Sequence, residues 1–135
     1  MDAILHHVSI PVSDLERARQ FYRDVLGLTE ISRPSFRLPG AWFRIGETQE
    51  LHLIAGNSDA TFRGTRGLDP NDAHFAVRVG DHEQVLELLR GKGYRENADD
   101  HDPMAMRTST GAGYPQLYIL DPDRNVIEIN TDSRH

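Results

Sequence analysis

Three histidines and one glutamate stand in strand-like segments with the types and placement of metal ligands. His7 and His74 hold equivalent positions in two similar stretches of the chain, and His52 and Glu128 align in the last strand of each stretch. Neutral imidazole nitrogens and a carboxylate oxygen are suitable ligands for a borderline divalent metal. A pseudo-twofold relation between the stretches would bring these side chains to one point, so the sequence predicts a site for Zn, Fe, Ni, Mn or Co.

The two stretches are copies of one pattern. The first begins at residue 6 with HHVSIPVSDLERARQFYRDVLGL, and the second begins at residue 73 with AHFAVRVGDHEQVLELLRGKGY. A repeated supersecondary unit of this kind cannot bury its apolar face alone. We therefore predict one domain over 1–135, made of two modules at about 4–55 and 72–131. Matching residue types recur in the modules at a constant offset of 67: His7 with His74, Val12 with Val79, Asp14 with Asp81 and Phe21 with Leu88.

The first module is predicted to fold as a strand, a helix and three more strands. Residues 8–12 alternate at the period of a half-buried strand. Ser13 and Glu16 have capping-box spacing, and an amphipathic helix follows until Gly27. Its apolar stripe is Leu15, Ala18, Tyr22 and Leu26, and the later strands are expected at 35–38, 41–45 and 50–55.

The second module repeats this order. Residues 75–79 alternate as a strand, and Asp81 is the expected cap of a helix that ends at Gly91. The helical stripe is Val85, Leu88 and Leu89, and the later strands are expected at 105–109, 116–120 and 126–130. The stretches 56–71 and 95–104 are rich in Gly, Asp, Asn and Pro, which predicts loops.

Strand alternation also predicts a polar sheet face opposite the helices. Such a face must be covered by side chains, by a ligand or by another chain. Its members are His7, Ser9, Trp42, Arg44, Glu50, His52, His74, Arg78, Gln116, Tyr118, Glu128 and Asn130. Trp42 suits a pocket wall or a dimer contact. Three arginines are candidate contacts for an anionic substrate, although surface solvation is the favoured interpretation of any one of them: Arg44, Arg78 and Arg107. The remaining histidines are expected in solvent or packing roles: His6, His82, His101 and His135.

The composition excludes several classes of function. A chain of 135 residues suits one core, and no apolar run approaches the ~20 residues of a membrane-spanning helix. The start, MDAILHHVSI, has no long apolar segment of a signal peptide. The absence of cysteine excludes disulfides and thiolate catalysis. A net charge of −6 leaves no basic footprint for nucleic acid. We therefore expect no nucleic-acid or membrane partner, and a cytoplasmic location is the default.

The motifs resemble those of the vicinal oxygen chelate superfamily, which includes glyoxalase I, methylmalonyl-CoA epimerase, extradiol dioxygenases, fosfomycin-resistance enzymes and bleomycin-binding proteins. The similar segments are HHVSIPVSDLERARQFYRDVLGL at 6–28, WFRIGETQELHL at 42–53, AHFAVRV at 73–79 and LYILDPDRNVIEI at 117–129. The resemblance implies an α+β fold in which two paired βαβββ modules form a cupped mixed sheet with helices on its outer face.

The resemblance also implies the ligand set. It assigns the first, third and last ligands to His7, His74 and Glu128. The second position falls on His52, where glyoxalase I and the epimerase have Glu or Gln, and Glu50 lies one step away on the same face. A second departure is Arg124, which stands where the family turn DPDGN has glycine.

The function implied is that of a divalent-metal-dependent lyase or isomerase of glyoxalase type, acting on a small carbonyl or vicinal-oxygen compound. Glu128, Glu50 and Tyr118 are the expected catalytic residues, with His52 a further candidate base. An iron-dependent extradiol-type dioxygenase and a non-catalytic antibiotic-binding protein are the alternatives. No distinctive cation-binding loop supports a fosfomycin-type transferase.

A small-molecule substrate and a homodimer are the partners that the resemblance implies. The site in such proteins closes within one chain or across two chains, and the sequence leaves this open. Substrate choice is expected to depend on the loops at 30–40, 56–71 and 95–115, whose composition names no substrate.

Overall fold

Each predicted module forms a sheet of its own. The structure, a computed structural model, describes residues 1–56 and 62–132. The chain divides into two units, Met1–Phe62 and Arg63–His135, and each unit contains one four-stranded mixed sheet. Both units run in the order strand, helix and three strands, which confirms the predicted α+β arrangement of two βαβββ modules.

Unit 1 has its sheet in the order β1-β4-β3-β2, with β1 parallel to β4 and the other pairs antiparallel. Its elements are β1 (His7–Pro11), α1 (Leu15–Gln20), β2 (Thr29–Ile31), β3 (Gly40–Ile45) and β4 (Gln49–Ile54). A π-helical segment, Phe21–Val25, continues α1. The core lies between the helix and the sheet: Val12, Ala18, Tyr22, Phe43, Leu51 and Leu53 are fully buried.

The helix cap of unit 1 differs by one residue from the prediction. Asp14, not Ser13, is the N-cap of α1, and its side chain accepts a hydrogen bond of 3.1 Å from the Arg17 backbone N–H. Both Ser13 and Asp14 have the right chemistry, and only the position of the first helical turn decides between them. In unit 2 the predicted cap is confirmed, because Asp81 accepts from the Gln84 backbone N–H at 3.1 Å.

The second strand of unit 1 was predicted in the wrong place. The structure puts β2 at Thr29–Ile31, directly after the helix, and leaves 35–38 without regular structure. That segment lies between Pro34 and Pro39, which lack the N–H that a sheet ladder needs. The consequence is a loop at 32–39 that leads back into β3.

Unit 2 has the same topology, with its sheet in the order β5-β8-β7-β6 and β5 parallel to β8. Its elements are β5 (His74–Val79), α2 (His82–Gly91), β6 (Met106–Ser109), β7 (Gln116–Leu120) and β8 (Val126–Thr131). Leu86 and Leu89 are the buried residues of α2, whereas Leu88, predicted in the stripe, is exposed. At about 100° per residue, Val85, Leu89 and Leu86 share one arc that leaves Leu88 at its flank. No helix in the described ranges is both long and apolar enough to span a membrane.

The turn between β7 and β8 holds a non-glycine residue in a left-handed conformation. Arg124 has φ of +65°, which explains why glycine suits this position in related turns. Its guanidinium donates to the backbone carbonyls of Arg66 and His101, both at 2.9 Å. The side chain therefore ties two loops of unit 2 to the turn, which a glycine could not do.

Replacing Arg124 separates the effect of its two hydrogen bonds from the strain of its left-handed backbone. We expect Arg124→Ala to lower the free energy of unfolding by about 1–2 kcal/mol, because it keeps the left-handed backbone and loses both hydrogen bonds. Arg124→Gly loses the same bonds but relieves the strain, so it should be more stable than the alanine variant by about 1 kcal/mol. Urea unfolding of the three proteins measures both differences. A glycine variant less stable than the alanine variant would contradict the assignment.

Candidate functional site

The polar face of unit 1 forms as the alternation predicted. In register, His7 lies opposite Glu50, and Ser9 lies opposite His52 on the parallel pair β1–β4. His52 also lies opposite Trp42 on the antiparallel pair β3–β4. Residues paired in this way project from the same side of a sheet. These side chains are therefore immediate neighbours on the face away from α1.

Aromatic rings stack in a continuous column on this face. The His7 and His52 rings are 4.1 Å apart and 15° from parallel, and the His52 and Trp42 rings are 4.1 Å apart and 7° from parallel. Trp42 packs next against Phe36, with ring centroids 6.0 Å apart. Flat side chains that contact on both faces have little freedom to rotate. The column therefore fixes the orientation of the His52 imidazole, and Trp42 is a pocket wall.

A carboxylate holds the free edge of His52. Glu50 Oε1 lies 2.9 Å from His52 Nε2. This hydrogen bond is the main reason why the pKa of Glu50 lies below its usual value. Glu50 is thus an ionised acceptor at neutral pH. If the N–H of His52 is at Nε2, its Nδ1 has the lone pair that can bind a ligand.

A pocket of about 570 Å³ adjoins the two histidines of unit 1. Its lining residues are His7, Ser9, Arg33, Phe36, Arg37, Leu38, Trp42, His52 and Ile54. Four of them belong to the loop at 32–39, which includes the strand wrongly predicted at 35–38 and lies within the stretch 30–40 on which substrate choice was expected to depend. The sequence reasoning had not singled out the loop residues Arg33, Phe36 or Arg37 at all.

Unit 2 has a buried carboxylate at the centre of its polar face. Glu128 is 5% exposed and lies on β8, between β5 and β7, so it is not on a sheet edge. Its side chain accepts from Asn130 Nδ2 at 2.6 Å and from Gln116 Nε2 at 3.2 Å, and it is hydrogen-bonded to the Tyr118 hydroxyl. A buried carboxylate without partners is strongly disfavoured. These neutral donors make its ionised form tolerable in this position.

His74 lies beside the same carboxylate, and a backbone carbonyl on the other side of its ring fixes the ring orientation. His74 Nδ1 lies 2.7 Å from the backbone carbonyl of Asp72, and its Nε2 lies 3.3 Å from Glu128 Oε1. A carbonyl oxygen only accepts, so the proton of the neutral ring is on Nδ1 and the lone pair of Nε2 faces a carboxylate. Two acceptors so placed require a proton or a cation between them. The pair has the donor chemistry of a divalent-metal site, with the backbone carbonyl in the usual supporting role.

An ion-pair cluster holds the segment that anchors His74. The Asp72 carboxylate pairs with Arg63 and Arg66 and accepts from the Ala73 backbone N–H at 2.8 Å. The hydrogen bond from Arg63 is the main cause of a lowered pKa at Asp72. The backbone carbonyl that receives His74 Nδ1 is therefore held in place. Sequence reasoning missed this contact, because a bond to a backbone carbonyl leaves no residue-type signal.

The register of the two sheets supports the predicted repeat. Ser9 lies two residues after His7 and Ala76 lies two residues after His74, and their partners on the last strand are His52 and Glu128. On the other side, His52 faces Trp42 and Glu128 faces Tyr118. When the two sheets are aligned in this way, Glu50 corresponds to Val126. His52, rather than Glu50, is thus the structural counterpart of Glu128.

The remaining predicted candidates have local partners. Arg44 donates to the Glu47 carbonyl, Arg78 to Asn130 Oδ1 at 2.8 Å, and Arg107 to loop carbonyls and Asp100. His6 is not merely a solvent residue, because its Nδ1 lies 2.9 Å from His7 Nδ1. His135 lies outside the described residues, as does part of the predicted loop at 56–71.

The predicted ligands therefore form two pairs, one in each unit: His7 with His52, and His74 with Glu128. Of the predicted catalytic residues, Glu50 lies beside the first pair and Tyr118 beside the second. Within residues 1–56 and 62–132, no group of three or more His, Asp or Glu side chains is already gathered around a single point as a metal site.

Comparison with known proteins gives a family match over most of the chain. The sequence model of the Glyoxalase/Bleomycin resistance protein/Dioxygenase superfamily matches residues 4–129. Mitochondrial methylmalonyl-CoA epimerase of Mus musculus is 31% identical over 104 residues, which are 71% of this chain but only 57% of the epimerase. The uncharacterized protein YqjT of Bacillus subtilis (strain 168) is 28% identical over 134 residues, 93% of this chain and 96% of its own.

Solved structures share the fold at low identity. A Bacillus anthracis protein, assigned provisionally to the glyoxalase family, has a TM-score of 0.74 and 23% identity, over 98% of this chain and 97% of its own. Lactoylglutathione lyase from Agrobacterium tumefaciens has a TM-score of 0.65 and 22% identity, over 99% of this chain and 96% of its own. At these identities the likeness shows the fold.

The contact between Tyr118 and Glu128 has a measurable consequence. Burial first, and then the Glu128 carboxylate, raises the pKa of Tyr118 to about 12. We expect Glu128→Gln to lower the pKa of Tyr118, but not fully to the ordinary value of about 10, because burial remains. Tyr94, whose pKa burial and Asp121 raise to about 12, should not change and is the internal control. NMR of tyrosines labelled at Cζ resolves the two titrations.

The raised pKa values of the two tyrosines also determine how the stability of the fold changes with pH. A phenol with a raised pKa in the folded state stabilises the fold fully below pH ~10, and this contribution is lost as the pH rises to about 12. Glu128→Gln should therefore weaken the alkaline loss of stability. An unchanged Tyr118 titration in that variant would show that the carboxylate does not act on the phenol.

Proposed function

Because the chain belongs to the Glyoxalase/Bleomycin resistance protein/Dioxygenase superfamily, we propose that it is a divalent-metal-dependent lyase or isomerase acting on a small carbonyl or vicinal-oxygen compound. Membership of the family confirms the resemblance drawn from the sequence motifs. The observation that carries the proposal is the His74–Glu128 pair, in which His74 Nε2 lies 3.3 Å from a buried carboxylate oxygen.

We infer that the metal ligands are the two pairs His7/His52 and His74/Glu128. In unit 2 the fit rests on the fixed tautomer of His74 and on the burial of Glu128. In unit 1 it rests on two stacked imidazoles, of which His52 is the register counterpart of Glu128. Nitrogen and carboxylate donors of this kind suit Zn, Ni, Fe, Mn or Co.

A bound metal would act as a Lewis acid towards neighbouring substrate oxygens, which favours loss of a proton next to a carbonyl. The chain's own residues supply the proton chemistry. Glu50 remains ionised because its pKa is lowered, so it can accept a proton and is hydrogen-bonded to His52 as a relay partner. Tyr118 stays protonated at neutral pH, with its pKa at about 12, so it can donate a hydrogen bond to a substrate oxygen.

The relatives support this class of reaction without fixing the substrate. Methylmalonyl-CoA epimerase and lactoylglutathione lyase are both named for rearrangement or lysis of carbonyl compounds. The chain spans little more than half of the epimerase, so that enzyme's own substrate is not carried over. Because His52 stands where glyoxalase I and the epimerase have Glu or Gln, Glu50 is the carboxylate of unit 1 that would act as the base.

Two alternatives depend on the metal. Two histidines and one glutamate, His7, His74 and Glu128, also match the facial triad of iron oxygenases. A protein that binds no metal would instead use its pocket to bind a small molecule, as antibiotic-binding members of the family do. The homodimer implied by the family stays a prediction.

Metal analysis distinguishes these possibilities. Protein purified without a histidine tag should contain a stoichiometric divalent metal by elemental analysis. His7→Ala and Glu128→Ala should weaken its binding by more than about a hundredfold, beyond the loss typical of a supporting residue. Nickel, zinc or cobalt would favour the lyase or isomerase, and iron the dioxygenase.

The matched control is His101→Ala, which removes an exposed histidine whose ring lies 3.3 Å from the Asp99 carboxylate. It should keep its metal. Loss from variants of both pairs would show that both contribute ligands, whereas loss of only part of the metal in each would indicate separate ions. A parent protein that takes up no divalent metal would overturn the enzyme proposal.

The anchoring of His74 can be tested separately. Asp72→Ala keeps the backbone carbonyl but removes its ion pairs with Arg63 and Arg66. We expect about a tenfold loss of metal affinity with unchanged metal stoichiometry, as for other supporting residues. Asp99→Ala is the control, because Asp99 also accepts from a backbone N–H two residues on and has a lowered pKa. Equal affinities of the two variants would show that Asp72 does not position His74.

A further inference from the structure

We propose that the pocket of unit 1 binds an organic anion with a flat or apolar body, and that Arg33 and Arg37 bind its charged group. The pocket is bounded by His7 and His52, so its role as the substrate pocket rests on the proposed function. The binding of the anion itself does not depend on a metal. The loop at 32–39 is thus the element that selects the substrate class.

The pocket has the size and the walls for such a ligand. Its volume of about 570 Å³ lies within the ~300–1,000 Å³ usual for small-molecule sites. Trp42 and Phe36 present rings to it, and Leu38 and Ile54 add apolar surface. Phe36 is 55% exposed and Leu38 37%, so the two side chains offer apolar surface beside each other on the loop. A flat apolar group laid against Trp42 would cover this surface.

The lining of the pocket is positively charged, whereas the chain as a whole is negatively charged. Arg33 and Arg37 line the pocket and no acidic residue in the described ranges does, although the chain as a whole carries −6. A cleft of one sign within an acidic protein concentrates ligands of the opposite sign. A cationic or a neutral ligand gains nothing from this arrangement.

Arg33 is held in place with one donor unused. Its NH2 group donates to the Leu38 carbonyl at 2.9 Å, and its guanidinium lies 4.8 Å from the centre of the Phe36 ring. Its Nε, however, is buried without a hydrogen-bond partner among the described residues. A buried N–H of a charged group without an acceptor is disfavoured. This donor would gain an acceptor if the guanidinium turned towards an oxygen of a bound anion.

A glycine makes room for this guanidinium. A Cβ built at Gly40 would lie 2.8 Å from Arg33 Cζ and 2.3 Å from the Leu53 carbonyl oxygen. The start of β3 therefore accommodates Arg33 only because residue 40 has no side chain. Arg37 is exposed on the same loop and makes no hydrogen bond or ion pair within the described ranges, so it is available to a ligand.

A carboxylate is the anion that this geometry favours. A guanidinium presents parallel N–H groups that match two carboxylate oxygens, and two arginines can share one carboxylate. A bare phosphate or acetate would leave the aromatic wall uncovered. The inferred ligand is therefore a carboxylic acid with an aromatic or compact apolar body.

The single tryptophan of the chain reports directly on this pocket, because it is Trp42. We would titrate metal-free protein with 3-phenylpropionate and follow Trp42 fluorescence. The neutral isostere 3-phenylpropionamide tests the charge, and acetate tests the apolar body. We expect saturable binding of phenylpropionate and binding at least about tenfold weaker for each of the other two.

Arg37→Gln should reduce phenylpropionate affinity about tenfold and leave the amide unchanged, and Arg33→Gln should do the same. Arg37→Gln is the decisive variant, because Arg37 makes no hydrogen bond or ion pair within the described ranges whose loss could disturb folding. Arg23→Gln, which removes an equal charge from an exposed arginine paired with Asp24, is the matched control and should bind like the parent.

The inference is overturned if phenylpropionate at millimolar concentration leaves Trp42 fluorescence unchanged, if the amide or acetate binds equally well, or if the control weakens binding as much as Arg37→Gln. These outcomes are separate from those of metal analysis. Metal without anion binding would remove this inference alone, and anion binding without metal would leave a binding pocket and remove the proposed enzyme.

Discussion

The buried carboxylate of Glu128 is the constraint on which the polar face of unit 2 depends. It stands in an apolar strand between Ile127 and Ile129, in the interior of the sheet. Burying an unpartnered charge there costs on the order of several kcal/mol. The strands on either side of it therefore contribute polar residues: His74, Gln116 and Tyr118, with Asn130 on β8 itself. Arg78 in turn holds the amide oxygen of Asn130, so one carboxylate organises most of this face.

Unit 1 has the same topology, but different interactions stabilise its polar face. Its interior strand β4 places His52 at the position of Glu128, so a flat ring stands where unit 2 has a carboxylate. His7 and Trp42 stack against this ring at 4.1 Å on either side. The repeat thus gives one unit a fixed charge and the other a flat aromatic wall.

The sequence predicted the features that depend on local periodicity. Alternation along the strands identified both polar faces, and the offset between the modules identified Asp81 as a helix cap. It placed β2 wrongly, because a strand of three residues is too short to show a period. It missed Arg33 and Phe36, because the path of the loop at 32–39 depends on how the loop packs over the sheet. The role of Asp72 was also out of reach, because the contact to His74 uses a backbone carbonyl.

The two equivalent histidines show how an inexact repeat can preserve one chemical requirement. His74 Nδ1 is occupied by the Asp72 carbonyl at 2.7 Å, which leaves its Nε2 as the nitrogen with a lone pair. His7 Nδ1 is occupied as well, but by His6 Nδ1 at 2.9 Å. Only one of these two nitrogens can carry the shared proton, so His7 has a free Nε2 lone pair when His7 is the donor and His6 the acceptor. A backbone carbonyl only accepts, so it leaves the neutral ring of His74 a single tautomer. A neighbouring imidazole can donate or accept, so the ligand tautomer of unit 1, unlike that of unit 2, depends on which of two histidines carries the shared proton.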